Sequence, residues 1–270
     1  MNRRTALAAA SFLALLWLAG LLLVFPVSRL PDVTALDHVA AGEPAVPIRD
    51  LFGRVIYEYH SPTYGEQVKV GLEDISDELI ALTITTEDSR FFSNPGFSPA
   101  AILRAFFQNL IMRRTFSGAS TITQQVVKNI LIPPSERLDR SVSRKMKEII
   151  LSAAAASRYD KETILRIYLN EIYYGNNATG VEKAAENYFG KHASELDLEE
   201  AAFIAGLPQA PNYYGNDQQA GRQRQREVLH LLERVIREEP CIQLGSGKNP
   251  RSWCPRPESI RELLSPSSDN

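Results

Sequence analysis

The run Gly118-Ala119-Ser120-Thr121-Ile122-Thr123-Gln124-Gln125 packs hydroxyls and two adjacent carboxamides into a stretch with little apolar area. That composition suits a polar cleft wall that hydrogen-bonds a sugar or a phosphate. A solvated surface loop has a similar make-up, so the octet needs companions. Arg140, Arg144 and Glu148 supply one set, at spacing i, i+4, i+8 along one helix face, with Val142, Met146, Ile149 and Ala153 on the other side. Two guanidiniums beside a carboxylate can grip a diphosphate and hold a charged acid near it. An exposed salt-bridge ladder has the same spacing. Glu87 and Asp88 form a third set, at a helix end just before the break at Asn94-Pro95-Gly96.

Charge is unevenly distributed. The net charge of -2 says little, but Arg113, Arg114, Lys128, Arg137, Arg140, Arg144, Lys145 and Lys147 crowd one third of the chain, while acids gather between Glu182 and Glu200. The basic part suits an anionic ligand or anionic lipid headgroups; an ordinary solvated face is the plainer reading. From Thr5 to Ser28 there is no charge, and Ala6 to Val24 is apolar enough to cross a bilayer, with Arg3 and Arg4 before it. The positive-inside rule then places the rest of the chain outside the cytoplasm. A cleaved signal peptide is the rival, and no small-x-small cleavage site follows before Pro26. Cys241 and Cys254 fall where oxidation is permitted and could close a small loop, a pairing that spacing alone leaves open.

The elements that must hold these groups are mostly helical. Residues 30–50, with Pro31, Pro44 and Pro47, read as a linker, and Arg54–Tyr59 and Gln67–Val70 as two strands around a Pro62/Gly65 turn. Helical patterning starts near Ile75, passes through Ile80 and Ile84, and recurs at 98–112, 120–130, 140–157, 160–171, 179–188, 196–206 and 220–237. Within 160–171 the apolar members read as core, with Asn170 bracing a turn before Gly175. The small-residue run Ala201–Pro211 reads as structural, and the stretch after it with Gly245, Gly247, Pro250, Pro255 and Pro257 as irregular. There is no internal repeat and no zinc, Walker or dinucleotide signature.

Five stretches in order resemble the motifs of the peptidoglycan glycosyltransferases, glycosyltransferase family 51. They are Glu87-Asp88-x-x-Phe91, Gly118-x-Ser120-Thr121-Ile122-Thr123-Gln124-Gln125, Arg144-Lys145-x-x-Glu148, Lys161-x-x-Ile164-Leu165-x-x-Tyr168-Leu169-Asn170 and Ala205-Gly206-Leu207-Pro208-Gln209-Ala210-Pro211. The resemblance covers about residues 47 to 216, and the Ser-x-x-Lys and Lys-Thr-Gly signatures of a transpeptidase are absent from the sequence. It implies a mainly α, lysozyme-like domain with a small membrane-facing subdomain, preceded here by the short β-hairpin and the transmembrane helix. The expected division is 1–29 tail and anchor, 30–50 linker, 51–216 glycosyltransferase domain, and 217–270 helix and tail.

The resemblance also implies a reaction. Glu87 matches the general base that deprotonates the 4-hydroxyl of the acceptor's N-acetylglucosamine, which attacks and inverts the donor's C1 as undecaprenyl diphosphate leaves. Lys128 and Arg140 match phosphate-binding positions, Arg144 and Lys145 support them, and Glu148 matches the second essential glutamate. Asp88, Phe91, Asn94, Ser120, Thr121, Gln124, Gln125 and Asn129 fall at substrate-binding positions. A divalent cation, Mg²⁺ or Mn²⁺, often assists in the family, with no ligands identified here and no organic cofactor. The implied partners are lipid II, the growing glycan strand, the membrane and a separate transpeptidase or wall-synthesis complex, with no nucleic acid. The chain departs from the family at Asn94, where His is usual, and at Gly215-Asn216, where a Pro often ends the last motif. Two other functions stand beside this one: a non-catalytic, membrane-anchored binder of the lipid-linked precursor or scaffold, and a lysozyme-like hydrolase or lytic transglycosylase. Between the first two motifs, Phe97, Phe106, Phe107, Leu110, Ile111 and Phe116, bordered by Arg104, Arg113 and Arg114, form an apolar stretch suited to interfacial insertion or to core packing.

Overall fold

A computed structural model describes residues 30–43, 45–60, 68–100, 102, 120–139, 141–247 and 250–265. The expected anchor, the apolar stretch around Phe106 and Phe107, Gly118 and Ala119, and Arg140 all lie outside the described residues. Among those described, no helix is long and apolar enough to cross a membrane.

The domain is mainly helical, built around α2 (Asp77–Glu87), whose residues Leu79 to Thr85 are buried in unbroken succession. A helix that is apolar all round has no solvent face, so it must sit in the centre. It packs against α8 (Leu198–Gly206) and α10 (Gln218–Glu238). The Ser76 side chain caps its start by accepting from the Leu79 amide at 3.3 Å. On the other side of the site, α3 (Ile122–Ile130) packs against α5 (Val142–Arg158) and α6 (Lys161–Glu171). Between α6 and α7 (Val181–Phe189), strands β3 (Tyr173–Gly175) and β4 (Ala178–Thr179) turn through Asn176 and Asn177, both at positive φ as a tight hairpin requires.

Residues 30–50 are not a linker. They form α1 (Ala35–Ala41), with Leu36 and Val39 buried, and β1 (Ala45–Arg49), with Val46 and Ile48 buried. β1 pairs antiparallel with β2 (Val55–His60), Ile48 opposite Tyr57. The second strand therefore comes from before Arg54, and the described part of the expected second strand, Val68 to Val70, pairs with no strand among the described residues. Val70 instead exchanges both backbone hydrogen bonds with the Asn170 side-chain amide, at 2.9 and 3.0 Å, so Asn170 clasps that segment while its Nδ2 also donates to the Arg166 carbonyl at 2.8 Å, near the end of α6. Tyr57 donates to the Ile130 carbonyl and Tyr59 to Glu171 at 2.6 Å, tying the hairpin to the ends of α3 and α6.

The C-terminal part is also more ordered than its Gly and Pro content suggests. α10 lies in the core through Val228, Leu229 and Leu232, β5 (Ile242–Gln243) pairs with β6 (Ser252–Trp253), and α11 (Pro257–Leu264) follows. Cys241 and Cys254 are disulfide-bonded across that hairpin. Closure by the disulfide, together with burial of Ile242, Leu244 and Ile260, offsets a composition that favours loop.

Candidate active site

Two clusters lie along one face of α3. The first surrounds Glu87, the last residue of α2. Its carboxylate accepts from Gln125 Nε2 at 2.6 Å. Burial pushes the Glu87 carboxyl above its ordinary range; the Gln125 hydrogen bond and the field of Arg224 oppose the shift, and Asp88 adds to it. A carboxyl raised in this way is a better match to a base working near neutrality.

The loop after Glu87 is bound at many points. Asp88 accepts from Asn94 Nδ2 at 3.0 and 2.8 Å and from the Ile122 amide at 3.3 Å. Burial raises Asp88 as well, against the hydrogen bonds from Asn94 and the Ile122 amide and the charge of Lys161. Asn94 Oδ1 accepts from Lys161 Nζ at 3.1 Å and from the Gly96 amide at 3.0 Å. The Lys161 ammonium also lies 4.7 Å from the centre of the fully buried Phe91 ring. Gly96 has φ +90°, and a Cβ there would sit 2.2 Å from the Ser152 carbonyl oxygen on α5. Only glycine permits so close an approach, which fixes the loop against the helix that carries Glu148.

The second cluster is cationic. Glu148, 2% exposed, is held by Arg144 and by Lys145 Nζ at 2.9 Å. Lys145 also donates to Ser120 Oγ at 2.7 Å. Burial, with Arg144 and Lys128 nearby, brings its pKa down to about 8. Burial also lowers Lys128, again with the help of Arg144 and then of Arg137. Among the described residues Lys128 has no ion-pair partner, so Lys128, Arg137, Arg144 and Lys145 outnumber the one buried carboxylate between them. A surplus of desolvated cations is a site for an anion. Because Gln125 and Lys128 are three residues apart on α3, one helix face carries both the group that holds Glu87 and the free ammonium.

Several expected ligand-binding residues serve as scaffold instead. Thr121 and Gln124 are 2% exposed and spend their polar atoms on a reciprocal N-terminal cap of α3, the Thr121 hydroxyl also donating to the Gly96 carbonyl at 2.7 Å. Phe91 is packed away from any cleft, and Asp88 and Asn94 hold each other. Asn129 is half-buried beside Lys128. Ser120, Gln125, Lys128, Arg144 and Lys145 line the two clusters. The described residues include no group of three or more His, Cys, Asp or Glu placed to hold a metal ion, and Glu148 is already engaged by two cations, so no step below runs through a protein-held cation.

A profile of the transglycosylase family matches residues 53–233. The chain belongs to that family. Penicillin-binding protein 1A of Aquifex aeolicus is 36% identical over 224 residues, 83% of this chain and 30% of that protein. Penicillin-binding protein 1A of Escherichia coli is 39% identical over 186 residues, 69% of this chain and 21% of that protein. The chain thus spans less than a third of the length of these relatives. A crystal structure of penicillin-binding protein 1A from Haemophilus influenzae, 20% identical, gives a TM-score of 0.36 over 80% of this chain and 19% of that one.

Three residues of this transglycosylase domain had not stood out by type. Tyr168 and Tyr174 are buried, among the described residues their hydroxyls have no hydrogen-bond partner, and burial, helped by the nearby Glu87 carboxylate, holds both well above the usual phenol pKa. In sequence they pass for core aromatics. Arg224 reaches from α10 toward Glu87 and donates weakly to the Gly206 carbonyl at 3.4 Å. It does carry a sequence signal: Ala220, Arg224 and Val228 are spaced i, i+4, i+8, which puts a guanidinium in an apolar stripe. The helix of Arg224 is therefore part of the catalytic domain and not an appendage beginning after Asn216.

Proposed function

We propose that this chain, which carries a peptidoglycan glycosyltransferase domain, polymerises lipid II into β-1,4-linked glycan strands and releases undecaprenyl diphosphate. The observation that carries the reading is the register of α3, which sets a half-buried carboxylate with a raised pKa and a surplus of cations along one helix face. Glu87 takes the proton of the acceptor 4-hydroxyl while the oxygen bonds to the donor C1. The C1–O bond to the diphosphate breaks, and the leaving group keeps the electron pair. Lys128, Arg144 and Lys145 stand ready to meet that negative charge without reorganising. Glu148 keeps Arg144 and Lys145 in place.

The finer points belong to the same proposal. Residues 6–24 anchor the chain in the cytoplasmic membrane with the catalytic domain outside, the stretch around Phe106 and Phe107 meets the bilayer, and a separate transpeptidase cross-links the product. A binder or scaffold has no use for a carboxylate tuned toward neutrality, and a hydrolase none for the surplus cations. Incubation of the purified protein with labelled lipid II in detergent, with gel separation of products, is the test. A ladder of lengthening strands is expected; release of soluble fragments or no conversion overturns the proposal.

A further inference from the structure

The hairpin β5–β6 lies past the end of the family match at residue 233, yet it touches both helices that hold the general base. Arg251 Nη2 pairs with Asp77 Oδ1 at 3.1 Å, at the first residue of α2, whose last residue is Glu87. Ser246 Oγ donates to both oxygens of Glu162 at 2.8 Å, and the Ser246 amide donates to Oε1 as well. Glu162 lies in the first turn of α6 beside Lys161, the residue that bonds Asn94 and covers Phe91. Ile242 and Leu244 are buried, so the hairpin is seated and not merely adjacent. Ile242 and Gln243 also line a cavity of about 350 Å³ together with Ser89, Arg90, Phe92 and Ser93 of the loop that follows Glu87.

We propose that Arg251 and Ser246, presented by the disulfide-bonded β5–β6 hairpin, are positioning residues for the general base. They tether the starts of α2 and α6, and the loop from Ser89 to Gly96 hangs between those two helices. Neither touches the reacting atoms; each acts through a partner, Arg251 through Asp77 and Ser246 through Glu162. The disulfide keeps both on one rigid support. An exposed ion pair such as Arg251–Asp77 contributes little to global stability. A loss of turnover on removing it would therefore be separable from unfolding. The functional part of this inference rests on the proposed glycan polymerisation; the structural part does not.

The test uses the full chain as the parent, Arg251→Ala/Ser246→Ala, Arg251→Lys, and Cys241→Ser/Cys254→Ser. Amide hydrogen exchange over residues 89–96 is measured first, since it needs no substrate. Exchange there is expected to rise about ten-fold in the Arg251/Ser246 double variant at nearly unchanged Tm. With lipid II, kcat should fall about ten-fold and KM stay within about two-fold, because a base displaced by a fraction of an ångström loses alignment and not substrate affinity. Arg251→Lys, which keeps the charge, should recover most of the rate, and the cysteine pair variant should reproduce both effects with a lower Tm. Parental exchange over 89–96, or parental kcat in the double variant, overturns the inference. A parent that makes no polymer counts against the proposed function, and the exchange measurement still decides the tether.

Discussion

Replacing Glu87 by Gln removes the proposed base with almost no change in shape. The amide can still face Gln125, so the 2.6 Å contact has a neutral counterpart. Loss of a general base typically costs about 10²- to 10⁴-fold in rate, or about 2.7 to 5.4 kcal/mol of transition-state stabilisation. Stability should move the other way. The folded-state pKa of Glu87 lies above that of an ordinary glutamate, chiefly through burial. The carboxyl therefore contributes its full stability below that value and loses it as pH rises through the raised one. Gln does not ionise, so at pH 7 Glu87→Gln should melt at or above the parent temperature, with the gap closing at acid pH. Each kcal/mol is worth about 2–4 °C in a domain of this size. Lipid II polymerisation on gels and thermal melting at pH 7 and pH 4 read the two effects. Polymerisation within a few-fold of the parent, or a melting temperature clearly below it at pH 7, would refute the reasoning.

Lys128→Ala should abolish polymerisation and weaken binding of the phosphoglycolipid inhibitor moenomycin about ten-fold or more, since a charge-assisted contact to phosphate is worth about 1.5–3 kcal/mol; unchanged affinity by calorimetry would make Lys128 a solvated charge. The pH–rate profile should be bell-shaped, falling on the acid side as Glu87 protonates through its raised pKa and on the alkaline side as Lys145 loses charge above about 8. Lys145→Arg should push the alkaline limb upward because a guanidinium does not deprotonate in that range. Thr121→Ala removes both the α3 cap and the bond to Gly96, and should cost about 1–2 kcal/mol in denaturant titration. A form of the protein starting at Leu30 should still bind anionic liposomes by flotation, and Phe106→Glu with Phe107→Glu should release it.

The helices were legible because each carries its own local signal: Ser76, Thr121, Asp160 and Asp197 cap α2, α3, α6 and α8 from positions any reader of the sequence can find. Pairing was not. Pro47 made Ala45–Arg49 look like linker, but a two-stranded ribbon leaves one side of each strand without a ladder partner, and there a proline costs nothing. Gln67–Val70 has the composition of a strand, yet among the described residues the Val70 backbone bonds the side chain of Asn170, a hundred residues away. Within the site, Glu87, Gln125, Lys128 and Glu148 could be picked out by type and motif. Burial decided the rest: it assigns Thr121 and Gln124 to a cap, Phe91 to the core and Arg224 to the neighbourhood of the base, and no spacing rule reports burial for a residue whose partner is remote in sequence.

Asn94 has one more consequence, for acid tolerance. It joins Asp88, Gly96 and Lys161 through a carboxamide, a group with no proton to gain or lose. A histidine in that place would take up charge around pH 6.5, and the bracing of the loop would then change with the medium. With asparagine the bridging group itself does not titrate, so on acidification the bracing changes only as Asp88, the acceptor of both Asn94 Nδ2 bonds, takes up a proton. An Asn94→His exchange would add a second titrating group to the scaffold of the base.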